Sequence, residues 1–392
     1  MIVIYSVVVF VVQLVFVIYA VIQWNLEKPS IYRMFRTHRK YWTPTNPPPQ
    51  PPTIHKNRKI FISIASYRDP DIAGTVCSLV NGADYPEMLT VGVLEQNDVG
   101  DVGLSRLPAG VRNKTNLVHK VISHRDALGP TWARYILQTW ITDEYYFMQI
   151  DSHTRVVRHW DTELVSMLED LPPRSVLTQY PPEYREGGKC DINQVRSELY
   201  VECFGRDRFT RIQSEFVPSG DKLPGVFVSE AWAACFSFST YHIVLDAPYD
   251  PYTPYLFFGE ELDITLRLWT RGWKFYSPGR SLVFTDFSRK NRKTIWSDHE
   301  QHTHNEVRFL SHLRIYNRLG FSQDILDFTG ETSLDIPLLT KNYNIYKLGN
   351  TRTLETYQKH AGVNLTTKKI TGHNLRRILN TNRHEQLLKN NL

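Results

Sequence analysis

Tyr145-Tyr146-Phe147-Met148-Gln149-Ile150-Asp151-Ser152-His153 is an apolar, β-prone run that ends abruptly in an acid and, two residues later, an imidazole. It reads as a buried strand over 145–150, too short and too apolar on both sides for an amphipathic helix. Residues 131–141 before it have helical period; after it, 159–171 has helical period and 176–180 reads as a strand. Nearer the N-terminus, 60–65 reads as a strand, 71–81 as a helix and 89–94 as a strand. This succession implies βαβ units and a mostly parallel α/β sheet. In such sheets ligands gather beyond the carboxyl ends of the strands, where Asp151 and His153 fall.

The 392-residue chain is 42% hydrophobic and 22% charged, the balance of a folded protein with a sizeable core. Its net charge of +6 suits anionic partners such as nucleoside diphosphates or lipid head groups. No nucleic-acid-binding signature accompanies that charge, so nucleic acid is not an expected partner. Of the four cysteines, Cys77 and Cys235 sit in apolar runs and read as buried thiols. Cys190 and Cys203 fall in a polar loop and are the pair that an oxidising compartment would join.

Residues 1–24 carry no charged side chain and are long enough to cross a bilayer as a helix, so a membrane anchor is expected there. No basic leader or small-residue cleavage site marks the segment as a signal peptide. Residues 25–57 form a basic, proline-rich stretch; its six prolines between 44 and 52 read as a stiff stalk. Lys28, Arg33, Arg36, Arg39 and Lys40 follow the span, which favours a cytoplasmic catalytic domain, with a Golgi or ER lumen as the alternative. Asn113-Lys114-Thr115 and Asn364-Leu365-Thr366 are acceptor tripeptides that the luminal orientation would expose to N-glycosylation. The main domain is expected over 58–365 and a basic tail over 366–392.

Four clusters carry candidate chemistry. Asp151 and His153 both reach one point if the chain turns at Ser152, and carboxylate with imidazole suits Mn²⁺ or Mg²⁺; a strand-end Asp also caps turns. Ser66-Tyr67-Arg68-Asp69-Pro70 lies where a first βα turn would meet a nucleotide, with Arg68 able to face phosphate and Asp69 to accept from ribose or base. The alternative is structural, because Pro70 opens a helix. Glu260 and Glu261 begin a helix that carries Arg267 and Arg271 and ends near Gly272. Acids in a first turn suit the helix dipole, while the preceding aromatic run 255–258 favours a sugar pocket. The stretch from Asp298 to His304 holds three histidines but lacks the helical H-E-x-x-H order, and reads as a solvated loop.

Together these segments resemble the glycosyltransferase family of hydroxyproline-directed and mucin-type polypeptide N-acetylglucosaminyltransferases, from about residue 60 to 365. The resemblance is carried by Ile62-Ser63-Ile64-Ala65-Ser66-Tyr67-Arg68-Asp69, by Ala127-Leu128-Gly129-Pro130-Thr131-Trp132-Ala133-Arg134 and by Gln149-Ile150-Asp151-Ser152-His153. It continues through Phe258-Gly259-Glu260-Glu261, Leu268-Trp269-Thr270-Arg271-Gly272-Trp273 and Leu348-Gly349-Asn350-Thr351-Arg352-Thr353-Leu354, followed by Tyr357 and Gly362. The resemblance implies a GT-A fold, a UDP-sugar donor, a divalent metal (Mn²⁺ or Mg²⁺), retention at the anomeric carbon and a polypeptide hydroxyl as acceptor. It makes Asp151 and His153 the metal pair, Ser66, Arg68, Asp69 and Arg134 nucleotide-binding positions, and Glu260 and Glu261 the acids near donor sugar and acceptor. One departure stands out: the family's His-x-Tyr-x-Arg stretch reads Thr285-Asp286-Phe287-Ser288-Arg289 here. Either Asp286 or water then completes the metal site, or the metal binds more weakly, or the chain is an inactive descendant that binds a UDP-sugar or carbohydrate without turnover.

Overall fold

A computed structural model describes residues 31–42, 54–217, 224–288, 292–299, 301–331 and 334–372. The main sheet has eight strands: β1 (Ile60–Tyr67), β2 (Leu89–Asn97), β3 (Asn116–Ser123), β4 (Tyr146–Asp151), β5 (Ser175–Thr178), β6 (Val226–Ser229), β7 (Phe236–Thr240) and β8 (Lys274–Pro278). Their spatial order is β3-β2-β1-β4-β7-β5-β8-β6. Neighbours are parallel from β3 to β4 and between β5 and β8, while β7 and β6 run against their neighbours. The sheet is therefore mixed, with six strands sharing one direction. The principal helices are α1 (Ile31–Thr37), α2 (Ile72–Gly82), α3 (Pro130–Gln138), α4 (Trp160–Glu169), α5 (Glu260–Trp269) and α6 (Gln301–Leu319).

Alternation along the central strands divides the core into two layers. Ile60, Ile62 and Ile64 of β1 pack with Ile72, Val76 and Leu79 of α2 and with Trp160, Leu164 and Leu168 of α4. Phe61 points the other way, stacks on Phe147 of β4, and joins the larger core built by α3, α5 and α6. Both faces of β1 and β4 are covered, which is why those strands read as continuous apolar runs. The reversed strand β7 brings its start, not its end, to the edge where β1 and β4 finish. Backbone from Ala234 and Cys235 therefore borders the same cleft as Asp69 and Asp151.

Several expectations are corrected. Residues 31–42, read as part of the stalk, fold as α1 and a 3-10 turn against the domain, with Trp42 buried and His38 Nε2 2.5 Å from Glu306 of α6. The hydrophobic side of this segment outweighs its basic composition. The stretch from 298 on is not a solvated loop: residues 301–319 form a 19-residue helix whose Val307, Leu310 and Leu313 are fully buried. The histidine-rich start hid that period. All four cysteines are free thiols, so Cys190 and Cys203 are not paired. The domain also extends past 365, because Val363–Asn364 pairs with Lys369–Ile370. The expected anchor at 1–24, all six prolines of the stalk and residues 373–392 of the tail lie outside the described residues. Among the described residues no helix is long and apolar enough to cross a membrane.

Candidate active site

Four pieces of chain converge beyond the carboxyl ends of β1 and β4: the turn after β1, the turn after β4, α3 and the start of α5. Gly259 makes the last possible. It turns the chain into α5 at φ 104°, and a Cβ there would lie 2.8 Å from the Phe209 ring.

Arg134 of α3 is the centre of the arrangement. Its guanidinium donates to Glu260 Oε1 at 2.5 Å and to Asp151 Oδ1 at 3.0 Å. The Tyr249 hydroxyl donates to the same oxygen of Glu260. Arg134 and Glu260 are almost completely buried, while the Asp151 side chain keeps 27% of its surface exposed. A fixed cation thus stands behind a carboxylate that still faces the cleft.

Asp69 works from below. Its Oδ2 accepts from Ser152 Oγ at 2.7 Å and from His153 Nδ1 at 2.8 Å, and its Oδ1 accepts from the Asp71 amide at 2.9 Å. Arg292, anchored to the carbonyls of Asp286 and Ser288, brings Nη1 within 3.8 Å of that Oδ2. Burial alone would raise the Asp69 pKa, but its hydrogen bonds and the His153 charge hold it below the ordinary carboxylate range. Because Asp69 Oδ2 accepts from it, Nδ1 carries a proton, and Nε2 is the ring nitrogen left for the cleft. Nε2 then lies 3.9 Å from Asp151 Oδ2.

That pair fits a small divalent cation. One carboxylate oxygen and one imidazole nitrogen face each other, and a carboxylate orients the imidazole from behind, as at metal-binding histidines. Mg²⁺-type ions are commonly held by few protein ligands, with substrate phosphates completing the shell. Among the described residues no group of three or more His, Cys, Asp or Glu gathers around one point. Asp286 does not join the pair: its backbone N–H donates to the His153 carbonyl, and its carboxylate accepts from the amide and hydroxyl of Ser288. The Thr285 hydroxyl also donates to the His153 carbonyl, so position 285 does border the site.

The remaining candidates are placed differently from their simplest reading. Arg68, at φ 48°, donates to Asp101 and Asp298 and lies 3.4 Å from Asp98, so three carboxylates hold its guanidinium. Ser66 is fully buried on β1. Asp69 supports His153 rather than facing a ribose. Asp298 binds Arg68 and Tyr67, and His299 reaches the His124 carbonyl, which explains that cluster without a metal. Sequence reading missed Tyr249, Tyr180 and Arg292. Their only local signal is a polar tip inside otherwise apolar or loop sequence.

Glu261 is half-buried in the first turn of α5, with Oε1 accepting from the Ala234 amide at 3.0 Å and Oε2 from the Tyr180 hydroxyl at 2.9 Å. Burial outweighs both hydrogen bonds and lifts its pKa to about 7. Folding therefore favours the protonated form. The stability this contributes is complete below the ordinary carboxylate range and is lost as pH rises through about 7. Melting curves should show the native chain losing roughly 3 kcal/mol more than Glu261→Gln between pH 5 and 8. Parallel curves for the two proteins would exclude that assignment.

The model of the family described as Glycosyltransferase (GlcNAc) matches residues 59–108 and 104–367, most of the chain. No curated protein sequence matches it. Among solved structures, GalNAc-T7 with UDP, GalNAc and Mn²⁺ shares 12% identity at a TM-score of 0.49, over 77% of this chain and 56% of that one. S. aureus TarS shares 11% identity at 0.40, over 68% of this chain and 48% of that one. TarS residues 1–349 with UDP-GlcNAc share 12% identity at 0.40, over 77% and 81%. The chain thus spans about half the length of the first two.

Proposed function

We propose that this chain, which belongs to the GlcNAc glycosyltransferase family, moves N-acetylglucosamine from UDP to a hydroxyl of a polypeptide, with a divalent cation and with retention at the anomeric carbon. The observation that carries the reading is Arg134, which joins Asp151 to Glu260 at the mouth of the sheet. The leaving group is a diphosphate whose negative charge grows as the anomeric bond breaks. Donors and charges fixed in advance, in a site sheltered from water, stabilise that growth.

Asp151 and His153 are the residues that would hold the cation. When bound, it supplies Lewis-acid charge to the diphosphate oxygens. The chain's own part is orientation. Asp69 locks the His153 ring, and Arg134, donating to Oδ1, keeps the Asp151 carboxylate pointed at the cleft. Glu261 has both oxygens engaged by Ala234 and Tyr180, so it braces the Ala234 strand approach instead of meeting substrate. Glu260 gives only Oε1 to Arg134 and Tyr249; we assign Oε2 to the acceptor hydroxyl, whose proton passes to the departing diphosphate on the attacked face. Phe257 and Phe258, exposed by 41% and 48% immediately before these acids, supply flat apolar surface suited to a polypeptide acceptor.

The test is donor turnover by the full chain, with UDP-GlcNAc, UDP-GalNAc, UDP-glucose and UDP-galactose, each with Mn²⁺, with Mg²⁺ and with EDTA. Release of UDP from UDP-GlcNAc, abolished by EDTA, is the expected result, and NMR of the product should report the α anomer. A folded chain that binds UDP yet turns over none of the four donors would replace this reading with that of a sugar-nucleotide-binding protein.

A further inference from the structure

Behind the site, seven residues along α5 from Glu260, Arg267 is completely buried. The one described hydrogen bond of its guanidinium is a long one, Nη1 to Asp263 at 3.4 Å, and its Nε and Nη2 have no partner among the described residues. The neighbours on α6 are also cationic. Arg314 and Arg318 both donate to Asp250, and Arg318 donates to Asp263 at 2.9 Å, yet Arg318 Nη2 is left without a partner. The ring of Tyr346 lies 5.6 Å from the Arg267 guanidinium and its buried hydroxyl has none either. Three guanidinium charges against two carboxylates leave one positive charge in a compartment closed to solvent.

That surplus has no cheap remedy inside the protein. Asp250 already receives N–H groups from both arginines and is held ionised, at about 2. A guanidinium does not release its proton at neutral pH. An uncompensated buried charge costs several kcal/mol, and each orphaned donor adds its own desolvation penalty. Water could satisfy the donors but not the charge; a small anion satisfies both.

We propose that a single halide-sized anion binds between α5 and α6, held by the free N–H groups of Arg267 and Arg318 with the Tyr346 hydroxyl. The site lies outside the catalytic machinery and fixes the helix whose first turn carries Glu260 and Glu261. Because the anion binds the folded state alone, its effect on melting rises with concentration and saturates.

The test starts from full chain refolded without halide in sodium gluconate, then melted as chloride replaces gluconate at constant ionic strength. The melting temperature should rise by about 3 °C or more and level off. Arg267→Met, which removes the surplus charge, should abolish the rise. Should that variant not fold, native crystals soaked in sodium bromide decide: an anomalous peak beside the Arg267 guanidinium is expected. Native melting that is the same in chloride and gluconate, or only water beside Arg267 with no bromide peak, overturns the proposal.

Discussion

Arg134→Met should destabilise the chain by about 3–5 kcal/mol and remove essentially all turnover. The side chain is the only described cation in contact with buried Glu260, and removing one partner of a buried ion pair leaves the other desolvated and uncompensated. For a domain of this size that amounts to a fall of roughly 10 °C in melting temperature. The rate should fall by at least ~10²-fold, because the charge fixed behind Asp151 goes with it. Adding Glu260→Gln to the same chain should return much of the stability, since the stranded charge is gone, but none of the activity. A single variant that melts within 2 °C of the native chain would show that Glu260 is compensated by something other than Arg134.

Asp151→Ala should do the opposite: keep the fold and lose the reaction. Its carboxylate is partly exposed, and Arg134 retains Glu260 when it goes, so melting should shift by little. Turnover should drop ~10²–10³-fold, and the dependence on Mn²⁺ should flatten, because half of the pair facing the cation has been removed. Asp69→Asn should behave as a weaker version. It leaves both ligands in place but loosens the His153 ring, for an expected 10–100-fold loss in metal affinity. Titrations of UDP release against Mn²⁺ separate the two: Asp69→Asn should recover rate at high metal and Asp151→Ala should not. An Asp151→Ala enzyme within tenfold of native rate would remove Asp151 from the site.

These expectations rest on features of unequal legibility. The run into Asp151 announced its strand because both faces of β4 are covered, and a doubly covered strand must be apolar throughout. The same logic located β1 and β2, and helical period located α2, α3, α4 and α5 to within a few residues. It failed where burial and composition part company. β3 is an edge strand with no fully buried residue, and α6 begins with polar and histidine residues before its apolar positions appear. The N-terminal segment looked like stalk because its basic residues and the prolines that follow stand out in composition, though Ile31, Tyr32, Met34, Phe35 and Tyr41 pack with buried Trp42 against the domain.

Within the site, the sequence by itself determined which residue types stand at the strand ends, because the backbone there is forced by the strands it continues. It did not determine their partners. Arg134 and Glu260 are 126 residues apart, and Asp69 and His153 are 84 apart. Only packing of α3 and α5 against one sheet edge brings such pairs within hydrogen-bond reach. Tertiary structure therefore decided that Asp69 orients a ligand, that Arg68 is held among acids, that Asp286 turns away, and that Glu261 is spent on the backbone. The physical reason is the same in each case: a charged side chain leaving water takes the nearest complementary group, and which group is nearest is a property of the fold.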